Sequence, residues 1–84
     1  MIRHTEINKT IGRNVRKFRR QKGLMQIDVA VAVNLDRTYV SRIETGQARI
    51  TLNLLFQLVK GLEISSSDLI LNQRGDFNYG SKIS

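Results

Sequence analysis

Three observations predict an all-α fold of five helices in one domain. The 84 residues contain no proline, so nothing in the chain forces a helix to break. Apolar residues recur at spacings of three and four, the period of a helix with one buried face. Two short helix-forming stretches within residues 26–44, QIDVAVAVNLDRTYVSRIE, are separated by Asn34, one of the few residues that tolerate a left-handed backbone. The chain is too short for a second domain, and association would help to stabilise its modest core. A hydrophobic fraction of 40% suffices for a globular domain, and 6% aromatic with no Trp points to an aliphatic core.

Residues 1–6 lack periodicity and are expected to fray. The first helix is predicted from residue 7 or 9 to residue 21, with Ile7, Ile11, Val15 and Phe18 as its apolar stripe. Gly23 ends it as a left-handed cap, with Leu24 folding back as the accompanying hydrophobic contact. Arg13, Arg16, Lys17, Arg20 and Lys22 lie away from the stripe, on the side that meets solvent or phosphate.

The second helix starts at Gln26 and buries Val29 and Val33, with Ala30 small where the next helix would cross. Met25 precedes it and cannot serve as a side-chain cap, a loss of about 1 kcal/mol with no compensation visible in the sequence. Asp28 complements the helix dipole. Asp36 is placed to cap the third helix by accepting from Thr38 or Tyr39 N–H. There Val40 and Ile43 form the buried face, while Arg37, Thr38, Ser41 and Arg42 are polar donors. Such a helix suits the edges of base pairs.

Thr45, Gly46 and Gln47 end the third helix, with Gly46 as the cap, and Arg49 falls in the following loop. Thr51 is placed to cap a fourth helix over residues 52–61, closed by Gly61 and Leu62. Leu52, Leu54, Leu55, Phe56, Leu58, Val59 and Leu62 cover more than one stripe of it, so a second buried face is predicted. The simplest such face is a homodimer interface, drawn from Leu55, Leu58, Leu62, Ile64, Leu69 and Ile70. Ser65 or Ser66 is placed to cap a short fifth helix. The domain is therefore assigned to residues 1–71. Residues 72–84, rich in Asn, Gly and Ser, form a flexible tail.

Charge is distributed unevenly. Residues 1–49 carry 11 basic and 4 acidic side chains, and residues 50–84 carry 3 of each, so the whole net charge of +7 lies in the first half. A basic half suits phosphates and a neutral half suits a protein partner, although a solvated basic surface would look the same on charge alone. No cysteine is present, which excludes disulfides and thiolate chemistry and fits a reducing cytoplasm. No apolar run reaches the length of a membrane span, and the first residues do not form a signal peptide.

Residues 26–44 resemble the helix-turn-helix of the XRE family, the Cro- and lambda-repressor-like DNA-binding domains. The resemblance rests on Gln26, Ala30, the pair Val40 and Ile43, and Glu44. It extends back through IGRNVRKFRRQKGLMQ (residues 11–26) and forward to about residue 71. Two positions depart from the family pattern: Asn34 replaces the usual Gly, and Met25 replaces a frequent Ser or Thr. The segment NLDRTYVSRIE is most similar to the controller proteins of restriction–modification systems. The resemblance implies a lambda-repressor-like fold and a homodimer on a two-fold operator in double-stranded DNA. It implies base contacts from Arg37, Thr38, Ser41 and Arg42, with Arg37 and Arg42 suited to guanine. It implies a phosphate contact from Gln26, and Tyr39, Arg49 and Arg16 are placed for further phosphate contacts, although packing at the helix edge is an equal alternative for Tyr39 and a minor-groove contact is an alternative for Arg49. An ion pair between Arg19 and Glu44, joining the first helix to the third, is also implied. RNA polymerase is a further partner if the regulator activates.

Other classes fit less well. His4 is the only histidine, no paired carboxylates share a helix face and there is no Gly-rich phosphate loop, so an enzyme is not expected. Neither a metal, a cofactor nor a small-molecule ligand is expected. An antitoxin that binds a toxin through helices 4 and 5 or the tail is the alternative, alongside a phage-type repressor. RNA binding lacks an aromatic stacking platform.

Overall fold

The computed structural model describes residues 4–70, which form five helices. These are α1 (His4–Gln21), α2 (Gln26–Val33), α3 (Arg37–Glu44), α4 (Leu52–Leu62) and α5 (Ser66–Ile70). No strand occurs among the described residues. The tail assigned to residues 72–84 lies outside them. α1 packs on α3 and α5, while α2 packs on α3 and α4. Ile11 and Val15 of α1, Val29 and Val33 of α2, Val40 and Ile43 of α3, Leu54, Leu58 and Leu62 of α4 and Leu69 of α5 meet in one aliphatic core. Each side chain buried in this way contributes about 1.5–3 kcal/mol.

α1 starts earlier than its apolar spacing predicts. Residues 4–6 are helical, and Glu6 in the first turn favours the positive end of the helix dipole. At the other end Gly23 takes φ +71°. Leu24 N–H then donates to the Arg19 carbonyl at 3.0 Å and Gly23 N–H to that of Arg20 at 3.0 Å, the pair of bonds expected for a glycine-closed helix.

The turn between α2 and α3 is set by Asn34, whose φ of 60° is left-handed. Leu35 N–H bonds back to the Ala30 carbonyl at 2.8 Å, which swings the chain into α3. Two cap predictions need correction. Asp36 occupies the position before α3, but its side chain makes no cap bond; the turn itself fixes where α3 begins. Met25 is compensated after all, because its N–H donates to the Asp28 carboxylate at 2.7 Å. Asp28 is thus half of a capping box, with the backbone N–H as its partner.

α4 is capped by Thr51, whose hydroxyl accepts from Leu54 N–H at 3.1 Å. It runs past Gly61 to Leu62 and is closed by Glu63 at φ 57°. Gly61 does not terminate the helix; it is small because a Cβ there would strike Val33 of α2. Ser65 and Asp68 cap α5 reciprocally, with Ser65 N–H to the Asp68 carboxylate at 3.1 Å and Asp68 N–H to the Ser65 hydroxyl at 3.3 Å.

The predicted dimer face also needs correction. Leu58, Leu62 and Leu69 lie inside the protomer's own core and cannot meet a partner. They belong with Leu54 to the stripe of α4 and α5 that packs on α1 and α2. Leu55 and Ile64 are half-buried and Ile70 is exposed. The apolar side chains that α4 leaves outside are Leu52, 67% exposed, and Phe56, 60% exposed.

Candidate nucleic-acid interface

α3 is eight residues long, too short to hold its shape alone. Its buried face, Val40 and Ile43, anchors it in the core. A second anchor is a close backbone approach to α1. At Gly12 a Cβ would collide with the Ile43 carbonyl oxygen, so only glycine allows the two helices to meet there. One and two turns further along α1, Arg16 and Arg19 then come level with the end of α3.

Glu44 sits at that junction, only 3% exposed. Arg19 grips its carboxylate with Nε to Oε2 at 2.6 Å and Nη2 to Oε1 at 3.0 Å. Nη1 of the same guanidinium donates to the Leu24 carbonyl at 2.9 Å, which ties the cluster to the α1–α2 turn. Arg16 Nε at 3.3 Å and Gln26 Nε2 at 3.1 Å complete the shell around Oε1. Burial pushes the Glu44 carboxyl up, but its bonds from Arg19, Gln26 and Arg16 prevail and hold it below the usual carboxylate range. The bond to Glu44 correspondingly raises Arg19 despite its burial.

Away from Val40 and Ile43 on α3, Arg37, Thr38 and Arg42 are exposed and Ser41 is half-buried. These four form a convex polar row over a buried apolar base. Arg37 Nη1 donates to Gln26 Oε1 at 3.3 Å, so the start of the row is linked to α2. Thr45 Oγ1 donates to the Ser41 and Arg42 carbonyls at 3.1 and 3.2 Å, closing the last turn. Tyr39 is half-buried and packs against the core, with its ring at the edge of α3. Arg49 is exposed in the loop after α3. That loop is fastened by Ile50 N–H to Asn8 Oδ1 at 3.3 Å. Guanidinium and hydroxyl donors on a rigid convex helix match the acceptors along a duplex major groove.

The helix-turn-helix family model matches residues 15–69, from the middle of α1 to α5. The chain belongs to the XRE family of helix-turn-helix regulators. As a member of that family it is a DNA-binding transcriptional regulator. Among its relatives is the control protein C.MunI of Mycoplasma sp, 37% identical over 65 residues, which span 76% of this chain and 88% of the relative. The controller protein C.AhdI of Aeromonas hydrophila superposes with a TM-score of 0.70 at 34% identity, covering 74% of this chain and 94% of that one. The controller protein C.Esp1396I has been solved as a tetramer with its natural 35 base-pair operator. It superposes with a TM-score of 0.66 at 39% identity, over 70% of this chain and 78% of that one.

Several features of this XRE domain were not legible as site residues. Arg16 and Gln26, expected on phosphates, are both bonded to Glu44, although the Arg16 side chain remains 40% exposed. Asn14, buried on α1, donates to the Leu69 carbonyl at 2.6 Å and fastens α5. Its polar side chain between Ile11 and Val15 was the available signal. Gly12 in the middle of a helix was another, since glycine there costs about 1 kcal/mol unless something needs the space. No group of residues suited to a metal occurs among the described residues. None of the described helices is long and apolar enough to cross a membrane.

Proposed function

We propose that this protein is a restriction–modification controller that binds a two-fold operator as a homodimer in the cytoplasm, through a domain spanning residues 1–71. The observation that carries the reading is the exposed row Arg37, Thr38, Ser41 and Arg42 on a helix fixed from behind by a buried ion-pair cluster. The resemblance to C.MunI and C.AhdI along most of their length supports the controller role. Arg37 and Arg42 read guanine by forking onto O6 and N7, and Thr38 and Ser41 reach neighbouring base edges. Arg49, Arg16, Tyr39 and the N-terminal end of α2 at Gln26 fix the register on phosphates. A second protomer covers Leu52, Leu55, Phe56 and Val59 on one side of α4, together with Ile64 and Ile70. Two recognition helices then sit about 34 Å apart, one turn of B-DNA. If the regulator activates, RNA polymerase is the additional partner.

The test is selection from a randomised duplex library. The native protein is expected to recover an inverted repeat, and Arg37→Ala or Arg42→Ala to lose about 1–3 kcal/mol on it while relaxing one base pair per half-site. If both variants bind every duplex as the native protein does, α3 is not the reading helix. Sedimentation at micromolar concentration tests the dimer, and Phe56→Asp is expected to shift it to monomer.

A further inference from the structure

No acidic residue stands between Glu6 and Asp28, and within that stretch α1 carries Lys9, Arg13, Arg16 and Arg20 at spacings of four, three and four. Residues so spaced share one stripe of a helix. Contacts with α3 fix the side on which this stripe lies. At Gly46, just past the end of α3, an added Cβ would come within 2.6 Å of Lys9 Cγ, so the Lys9 stem lies across that turn. Gly12 meets the Ile43 carbonyl, and Arg16 Nε bonds Glu44 Oε1 at 3.3 Å. The stripe therefore borders the C-terminal end of α3. Lys9, Arg13 and Arg20 are exposed, and Arg16 is half-buried. Arg13 Nη2 donates to Thr10 Oγ1 at 3.4 Å, which turns its guanidinium back toward the Lys9 end of the helix.

We propose that Lys9, Arg13 and Arg20, with Arg16 between them, form a cation track that holds the sugar–phosphate backbone of one strand beside the groove that α3 enters. The inference rests on α3 being the reading helix, and it extends the single phosphate contact of Arg16 to a continuous surface. The track is not neutralised from within the domain. Arg19 alone balances the one carboxylate beneath it, Glu44, so Arg16 is a cation in excess. Lys9, Arg13 and Arg20 form no salt bridge among the described residues. Glu6, which shares a cleft with Lys9 and Arg13, is the acidic side chain at the N-terminal end of the track. Like charges three and four residues apart repel, so the helix is destabilised by its own track, and a strand of phosphates relieves that repulsion. The C-terminal end of α3 is the negative end of its dipole, and cations bordering it let a phosphate approach. From Lys9 to Arg20 the helix rises about 16 Å, while one strand carries a phosphate per about 3.4 Å of duplex axis, so several phosphates fall within reach.

Duplex binding is titrated at several salt concentrations for the native protein, the triple variant Lys9→Gln with Arg13→Gln and Arg20→Gln, and each single variant. Lys60→Gln on α4 serves as the control for net charge. Each protein is tested on the inverted repeat recovered by selection and on an unrelated duplex of equal length, and thermal melting confirms the fold. Each cation removed from the track is expected to lower the slope of log affinity against log salt by about 0.9 per protomer, on both duplexes alike. The ratio of the two affinities is expected to stay as in the native protein. Lys60→Gln is expected to leave the slope unchanged, because Lys60 lines a groove against the C-terminal end of α2 instead. An unchanged slope in the triple variant would overturn the proposal, as would a fall in Lys60→Gln equal to that of the single variants, or a loss confined to the inverted repeat. A native protein that prefers neither duplex would refute α3 as the reading helix, and that result is read from the affinity ratio, separately from the slope.

Discussion

Removing the Glu44 carboxylate is expected to be the most damaging single change on this surface. Glu44→Ala leaves the Arg19 guanidinium, whose side chain is only 11% exposed, with the Leu24 carbonyl as its remaining partner. An uncompensated buried charge of this kind costs about 3–5 kcal/mol. Arg16 and Gln26 also lose a partner, but both reach solvent and add little. A domain of this length has about 4–13 kcal/mol of stability in total, so the variant is left marginal. The assay is urea unfolding followed by circular dichroism, with the midpoint falling and the slope kept. Arg19→Met is expected to cost less, because Glu44 keeps Arg16 and Gln26. The double variant is expected to be more stable than the sum of the two losses allows. A cost under about 1 kcal/mol for Glu44→Ala at constant slope, or simple additivity in the double variant, would refute the account of a mutually dependent pair.

The same carboxylate gives a pH dependence. Its pKa is lower in the folded protein than its ordinary value of 4.5, so the stability it contributes is fully present above about pH 4.5 and is lost as pH falls through the folded value. Urea midpoints measured from pH 7 downward are expected to drop in that range, and Glu44→Gln to flatten the drop. Gly12→Ala forces α1 away from the Ile43 carbonyl and is expected to cost about 1–3 kcal/mol, read as a lower melting temperature. Glu63→Gly relieves a left-handed non-glycine residue at the end of α4 and is expected to raise stability by about 0.5–1 kcal/mol in the same measurement.

Helix existence was legible wherever a local rule decides it. The spacing of Ile7, Ile11, Val15 and Phe18 gave α1, and Asn34 and Gly23 gave the turns, because a left-handed residue is a property of the chain at that point. What could not be read is set by distance in space. Leu58 and Leu52 are both apolar residues of α4, and nothing local says that the first faces the core while the second faces solvent. Gly61 read as a helix stop because glycine often is one, yet its neighbour across the fold, Val33, is the reason it is there. Asp28 read as a dipole partner because its acceptor role depends on where the Met25 N–H points. For the candidate site, the exposed row of α3 followed from the pattern of Val40 and Ile43. The bonds of Gln26 and Arg16 to Glu44 did not, since each joins residues 18 or more apart in sequence.

These long-range bonds explain how so small a helix can present a defined surface. An isolated eight-residue helix in water does not persist. α3 is nevertheless fixed along its whole length: at its start by the Asn34 turn and the Gln26–Arg37 bond, along its inner face by Val40 and Ile43, and at its end by Glu44. Each restraint comes from a different neighbour: the turn and Gln26 from α2, the core from all the helices and the ion pair from α1. Rotation of α3 about its own axis would therefore have to break contacts with at least two helices at once. A base-reading surface needs that rigidity, because a shift of about 1 Å is enough to misplace a bidentate hydrogen bond. On this argument the charged cluster beneath α3 is retained for orientation more than for stability. An apolar replacement of Arg19 and Glu44 that keeps the fold is expected to bind duplex DNA with its salt dependence intact and its sequence preference blurred.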